Sequence, residues 1–135
     1  MTLSDVLDHA WVVTYSNVLI NGPEPDELAE WAEKNRLPVY RYQGEENFTE
    51  VTDAVLGDGG VLVLYDMGEW ATSAAGPAVY GLLGHPFELA QSGPDGEQMA
   101  RHPRLIVVAV EDHPKIAMPA MFRLKFPLQL TTTET

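Results

Sequence analysis

The stretch Asn17-Val18-Leu19-Ile20-Asn21-Gly22-Pro23-Glu24-Pro25-Asp26-Glu27-Leu28 runs from an apolar strand through a glycine turn into a helix, the layout of a phosphate-binding loop. A working loop of this kind needs a second glycine, then Lys, then Ser or Thr. Backbone N–H groups and an ammonium then hold phosphates while a hydroxyl holds Mg²⁺. Counted from Gly22, those positions are Glu27, Leu28 and Ala29. Glu24, Asp26 and Glu27 surround the turn with charge that repels a phosphate.

A second candidate is the run Val61-Leu62-Val63-Leu64-Tyr65-Asp66, an apolar strand ending in a carboxylate that can orient a divalent metal beside a triphosphate. The carboxylate that would activate water is displaced, because Met67 and Gly68 intervene before Glu69. Asp66, Glu69 and Asp112 are a conceivable weak cation site, although carboxylates at strand ends are more often simply solvated. His9, His85, His102 and His113 share no ligand spacing. Ser16, Ser73 and Ser92 lack a nucleophile elbow. Trp11, Trp31 and Trp70 read as core or partly buried anchors, and Trp70, beside Glu69, is the one to test for a partner contact.

These groups are positioned by elements whose periodicity is readable. Ser4 to Ala10 suits an amphipathic helix that Trp11 to Tyr15 can extend, followed by a strand over 17–21 and a helix over 25–35. Leu37 to Tyr42 alternates as a strand. Asn47-Phe48-Thr49-Glu50 forms a capping-box pattern ahead of a helix that ends at Gly57. Val61 to Tyr65 and Leu105 to Val110 are continuous apolar runs, the pattern of strands buried on both faces of a parallel sheet. Helix is expected over 71–83, interrupted or started at Gly76-Pro77, then an irregular loop over 85–96. A helical turn near Pro119 to Phe122 leads to a last strand near Phe126 to Leu130, and a frayed tail over 131–135. This alternation predicts a three-layer α/β/α sandwich on a mostly parallel five-stranded sheet, one domain over 1–135. The loops at Gly22, Asp66 and Asp112 then share the carboxyl edge of the sheet.

Composition narrows the classes of function. The chain has 135 residues, 45% hydrophobic, no cysteine and a net charge of −12. That excludes disulfides, thiolate catalysis and zinc fingers, and it makes direct nucleic-acid binding by a broad cationic face improbable on electrostatic grounds. No run approaches the ~18 apolar residues of a membrane span, and Met1 to Asp5 lacks the basic start of a signal peptide. A cytoplasmic protein is the expectation. Charge is also divided along the chain: residues 1–100 carry 17 acids against Lys34, Arg36 and Arg41, whereas residues 101–135 carry five basic groups against three acids. A solvated acidic surface explains this simply; a contact between acidic and basic faces explains it more sharply.

The order and spacing of these pieces over most of residues 16–130 resemble the α/β core of an AAA+ ATPase of the MoxR-like kind. The resemblance places Gly22, Pro23 and Glu24 at a degenerate Walker A turn, and Asp66 with the displaced Glu69 at a Walker B-like strand. It places Asp112 near the sensor 1 position, and Arg123 or Lys125, within Pro119-Ala120-Met121-Phe122-Arg123-Leu124-Lys125-Phe126-Pro127-Leu128, near the arginine finger. It also implies a form without the helical lid, of a type expected in a bacteriophage genome and hence in a bacterial host's cytoplasm. With the Lys, the metal-binding hydroxyl and the adjacent Glu all missing, the expectation is a vestigial site without catalysis, with no required cofactor and at most weak Mg²⁺/ATP binding. Such a domain would act by protein–protein contact, either by self-assembly or on a partner ATPase. The alternatives are an acidic decoy that occupies a nucleic-acid-binding partner and a weak nucleotide-binding ATPase.

Overall fold

A computed structural model of the protein describes residues 2–13, 17–44, 59–73, 76–83, 91–92, 98–99 and 105–132. Helix α1 spans Leu3–Val13 and is started by a reciprocal cap: the Thr2 amide donates to Asp5 Oδ2 at 3.1 Å and the Asp5 amide to Thr2 Oγ1 at 3.2 Å. Leu3, Val6, Leu7 and Ala10 fall on one side and are buried. Strand β1 (Val18–Asn21) follows, then α2 (Asp26–Lys34), which opens on Asp26 and Glu27 and closes on Lys34, as the helix dipole favours. Leu28, Trp31 and Ala32 are its buried face.

The two helices are tied by polar contacts. Ser4 donates from its amide and hydroxyl to Glu27 Oε2 at 3.0 and 2.7 Å, and Trp31 Nε1 donates to Asp8 Oδ1 at 2.8 Å. Trp11 meets Trp31 edge to face, with centroids 6.3 Å apart.

Beyond β2 (Val39–Tyr42) and β3 (Gly60–Tyr65) come the short helices α3 (Met67–Trp70) and α4 (Gly76–Leu82). Strands β4 (Gln91–Ser92) and β5 (Gln98–Met99) pair antiparallel as a separate ribbon. The chain continues through β6 (Leu105–Glu111), α5 (Ala120–Arg123) and β7 (Leu128–Thr131). The main sheet has five strands in the order β2-β3-β6-β1-β7, and every neighbouring pair is parallel.

Two cores cover the sheet. On one face Val18, Ile20, Val61, Val63, Ile106, Val108 and Val110 pack under α1 and α2. On the other, Leu19, Leu62, Leu64, Val107 and Ala109 pack under α3, α4 and α5, with Trp70, Val79 and Phe122 above them. The protein is therefore a three-layer α/β/α sandwich on an all-parallel sheet, as expected of a P-loop-like core. Among the described residues no helix is long and apolar enough to cross a membrane.

Three local expectations need correction. The helix expected over 71–83 begins only at Gly76, where Gly76-Pro77 opens its first turn as one of the two expected options, while 71–73 is a turn that follows α3. Part of the loop expected over 85–96 is strand, at Gln91–Ser92. The last strand begins at Leu128 rather than Phe126: the amides of Lys125 and Phe126 still bond back to Phe122 and Arg123, and Phe126 turns into the core. Trp70, read as a core anchor, is buried. Its indole N–H donates to the Tyr65 carbonyl at 2.7 Å and its ring meets Tyr42 edge to face. The capping-box helix at 47–56, His85, His102 and the tail over 133–135 lie outside the described residues.

Candidate functional site

In a parallel sheet a crevice opens where neighbouring strands send their chains to opposite faces. Strand β1 leads into α2 on one face, and its neighbour β6 leads toward α5 on the other. A cleft of about 480 Å³ lies at that point, lined by Asn21, Gly22, Pro23, Glu111, His113, Pro114 and Thr132. The ends of β3, β6 and β1 stand side by side, so the Asp66, Asp112 and Gly22 loops do share one edge.

The Gly22 turn is held shut by its surroundings. Its N–H, which a phosphate-binding loop would offer to a ligand, donates to the Glu111 carbonyl at 2.9 Å. The Thr132 amide donates to the Asn21 carbonyl at 2.9 Å, and Thr132 Oγ1 donates to the Pro23 carbonyl at 2.7 Å. Gly22 has φ +131°, and a Cβ there would sit 2.4 Å from the Thr132 carbonyl oxygen. The turn therefore needs glycine for its own conformation and for the end of β7 that packs against it.

Glu24 forms a latch across the sheet. Tyr65 donates its hydroxyl proton to Glu24 Oε1, Arg41 Nε donates to the Tyr65 oxygen at 3.0 Å, and Arg41 Nη2 pairs with Glu24 Oε2 at 3.2 Å. Burial, reinforced by the Glu24 bond, pushes the Tyr65 phenol up to about 12, so it remains a donor throughout the physiological range. Leu28, at the lysine position of a phosphate-binding loop, is fully buried in the core under α2. Ala29 supplies no hydroxyl. This donor set does not fit a triphosphate and its metal.

The other sequence-derived residues are brought near the same edge without converging. Asp66 has φ +49° at the start of α3, its side chain caps nothing, and its amide reaches the Val110 carbonyl at 3.4 Å. Glu69 is exposed on α3, and Asp112 is exposed beside His113 Nε2 at 3.7 Å. Among the described residues, no three His, Asp or Glu side chains come together to hold a metal ion. Arg123 is partly buried on α5 and close enough to Glu111 to act on its charge. Lys125 is drawn elsewhere, its ammonium 5.3 Å from the centroid of the Tyr80 ring.

The residue that sequence reasoning missed is Glu111. It ends a strand otherwise made of apolar residues, is only 4% exposed, and neither carboxylate oxygen has a hydrogen-bond partner. Burial pushes its carboxyl up to about 7; the Met67 amide, nearby but outside hydrogen-bond geometry, and the charge of Arg123 oppose the rise, and the charge of Asp66 adds to it. The available signal was its place directly after the uninterrupted apolar run over 105–110; the structure then pairs it with Asn21, one residue before the glycine. Asn17, at the opposite end of β1, is also buried, and its Nδ2 donates to the carbonyls of Leu83 and Lys125, each at 2.7 Å.

Compared with protein-family models and with curated proteins, the chain matches none. Fold and site geometry therefore carry the functional argument.

Proposed function

We propose that this protein is a non-catalytic, AAA+-like domain that works through protein–protein contacts, by self-assembly or by modulating a partner ATPase. The observation that carries this reading is the burial of Leu28, because the position from which a lysine would reach phosphates points into the α2 core instead. The committed Gly22 amide and the Glu24 latch support it from the two sides of the turn. Phosphoryl transfer depends on positioning and charge neutralisation, and this turn supplies acids where both are needed. Contact, by contrast, has surfaces available: Ile116, Met121 and Leu124 are large apolar side chains left exposed in one stretch of chain.

Calorimetry with ATP and Mg²⁺ tests the reading. No saturable heat is expected at millimolar nucleotide. Micromolar binding that disappears on Asp66→Ala would overturn the proposal and return the protein to the nucleotide-binding class.

A second reading is favoured by the α1 and α2 surface, where Asp5, Asp8, Asp26, Glu30 and Glu33 are exposed. Such a face suits a decoy that occupies the basic surface of a nucleic-acid-binding protein. Its signature is tight association with such a protein that weakens steeply with salt and is lost when Glu30 and Glu33 are neutralised.

A further inference from the structure

The opposite side of the sandwich has a different chemistry. Helices α4 and α5 enclose a groove of about 220 Å³ lined by Ala71, Pro77, Tyr80, Met121 and Phe122. Tyr80 and Phe122 form its rigid wall, edge to face with centroids 5.1 Å apart. Met121 is 55% exposed and Leu124, three residues on and so on the same side of the turn, is 85% exposed. Lys125 lies over Tyr80, at the groove itself. Residues 113–132 contain Lys115, Arg123 and Lys125 and no acid, and α4 contains no charged residue. Residues 70–87, which supply Ala71, Pro77 and Tyr80 to the groove, contain no acid either, so in a chain of net charge −12 both stretches that line it are free of carboxylates.

We propose that the α4–α5 groove docks an acidic amphipathic segment of another protein, its apolar side chains entering beside Tyr80 and Met121 and its carboxylates meeting Lys125 and its neighbouring cations. The inference rests on the protein-contact reading above and names the kind of partner. Charge complementarity selects the sign of the occupant, because the partly buried Lys125 ammonium at the groove has no carboxylate from its own stretch of chain to neutralise it. A second copy of this chain is a poor fit. Its acidic α1–α2 face offers Val12 as the single exposed large hydrophobic among the described residues, against Met121, Leu124 and the groove. A bilayer surface also fits poorly, since a concave slot beside a one-turn helix is filled by a peptide and not by a plane.

The test uses the full chain and a synthetic peptide of about 16 residues, long enough to be helical when bound, with Leu at helical spacing and Glu between. NMR shifts are expected to be confined to α4, α5 and Lys125, with binding that weakens as salt rises. Leu124→Glu should weaken it about tenfold, and so should Lys125→Glu, the size of loss typical of a central contact. Leu124 is so exposed that its substitution leaves folding intact. Four results would each overturn the proposal. They are no shifts at millimolar peptide, equal binding of a peptide with Lys in place of Glu, a dimer in sedimentation that Leu124→Glu dissolves, and Leu124-dependent binding to phosphatidylglycerol vesicles. ATP calorimetry on the same samples separates the two claims. Absent peptide binding with absent ATP binding removes the docking site alone, whereas micromolar ATP binding removes the non-catalytic reading.

Discussion

Glu111→Gln isolates the energetic consequence of a buried, unpartnered carboxylate at the end of β6. In the folded protein, burial raises this carboxyl from 4.5 to about 7, so the native state binds its proton more tightly than the unfolded chain does. The stability contributed by this group is fully present below pH 4.5 and is lost as pH rises through about 7. At about 1.4 kcal/mol per pH unit, the interval between the two values amounts to about 3 kcal/mol. Gln keeps the shape of the protonated acid and cannot ionise. Urea unfolding should find parent and variant alike near pH 4, and the variant more stable by about 3 kcal/mol near pH 8, with the gap opening between pH 4.5 and about 7. The mutual repulsion of surface acids also lowers stability as pH rises, but it is common to both proteins and cancels in the comparison. Parallel stability curves from pH 5 to pH 8 would refute the argument, because they would mean that Glu111 ionises in the folded state as easily as in water.

Three further substitutions probe the frame that holds β1 and the turn after it. Asn17→Ala removes two buried hydrogen bonds and leaves the Leu83 and Lys125 carbonyls unpaired, so chemical denaturation should show a loss of about 2–4 kcal/mol. Gly22→Ala forces a Cβ against the Thr132 carbonyl at a backbone angle that side chains rarely adopt; a loss of about 2–3 kcal/mol is expected, and thermal unfolding unchanged from the parent would contradict the packing described. Leu28→Lys restores the lysine of a phosphate-binding loop in sequence while placing an ammonium in the α2 core. Circular-dichroism melts should show a loss of about 3–5 kcal/mol, and calorimetry should show no gain of ATP binding.

Much of the fold was legible because its signals are local. The continuous apolar runs at 61–65 and 105–110 announced strands covered on both faces, and the acids at 26–27 ahead of Leu28, Trp31 and Ala32 announced α2. Boundaries failed where a tertiary contact outweighed the pattern. Phe126 reads as strand from its neighbours, yet it turns into the core before β7 begins. Trp70 reads as a core anchor, but its partners are not legible from its neighbours: Tyr42, nearly thirty residues earlier in the chain, and the Tyr65 carbonyl enclose it.

By itself, the sequence determined the alternation of helix and strand, the division of charge and the absence of a lysine and hydroxyl after Gly22, because periodicity and residue chemistry are properties of neighbours along a chain. Only the tertiary structure decided that the Gly22 amide is taken by Glu111, that Thr132 closes the turn, and that Glu24 is latched to Tyr65 and Arg41. Those partners lie at least 17 positions apart, and Thr132 and Pro23 are separated by 109. What joins them is the strand order β2-β3-β6-β1-β7, which sets remote segments side by side at one edge of the sheet.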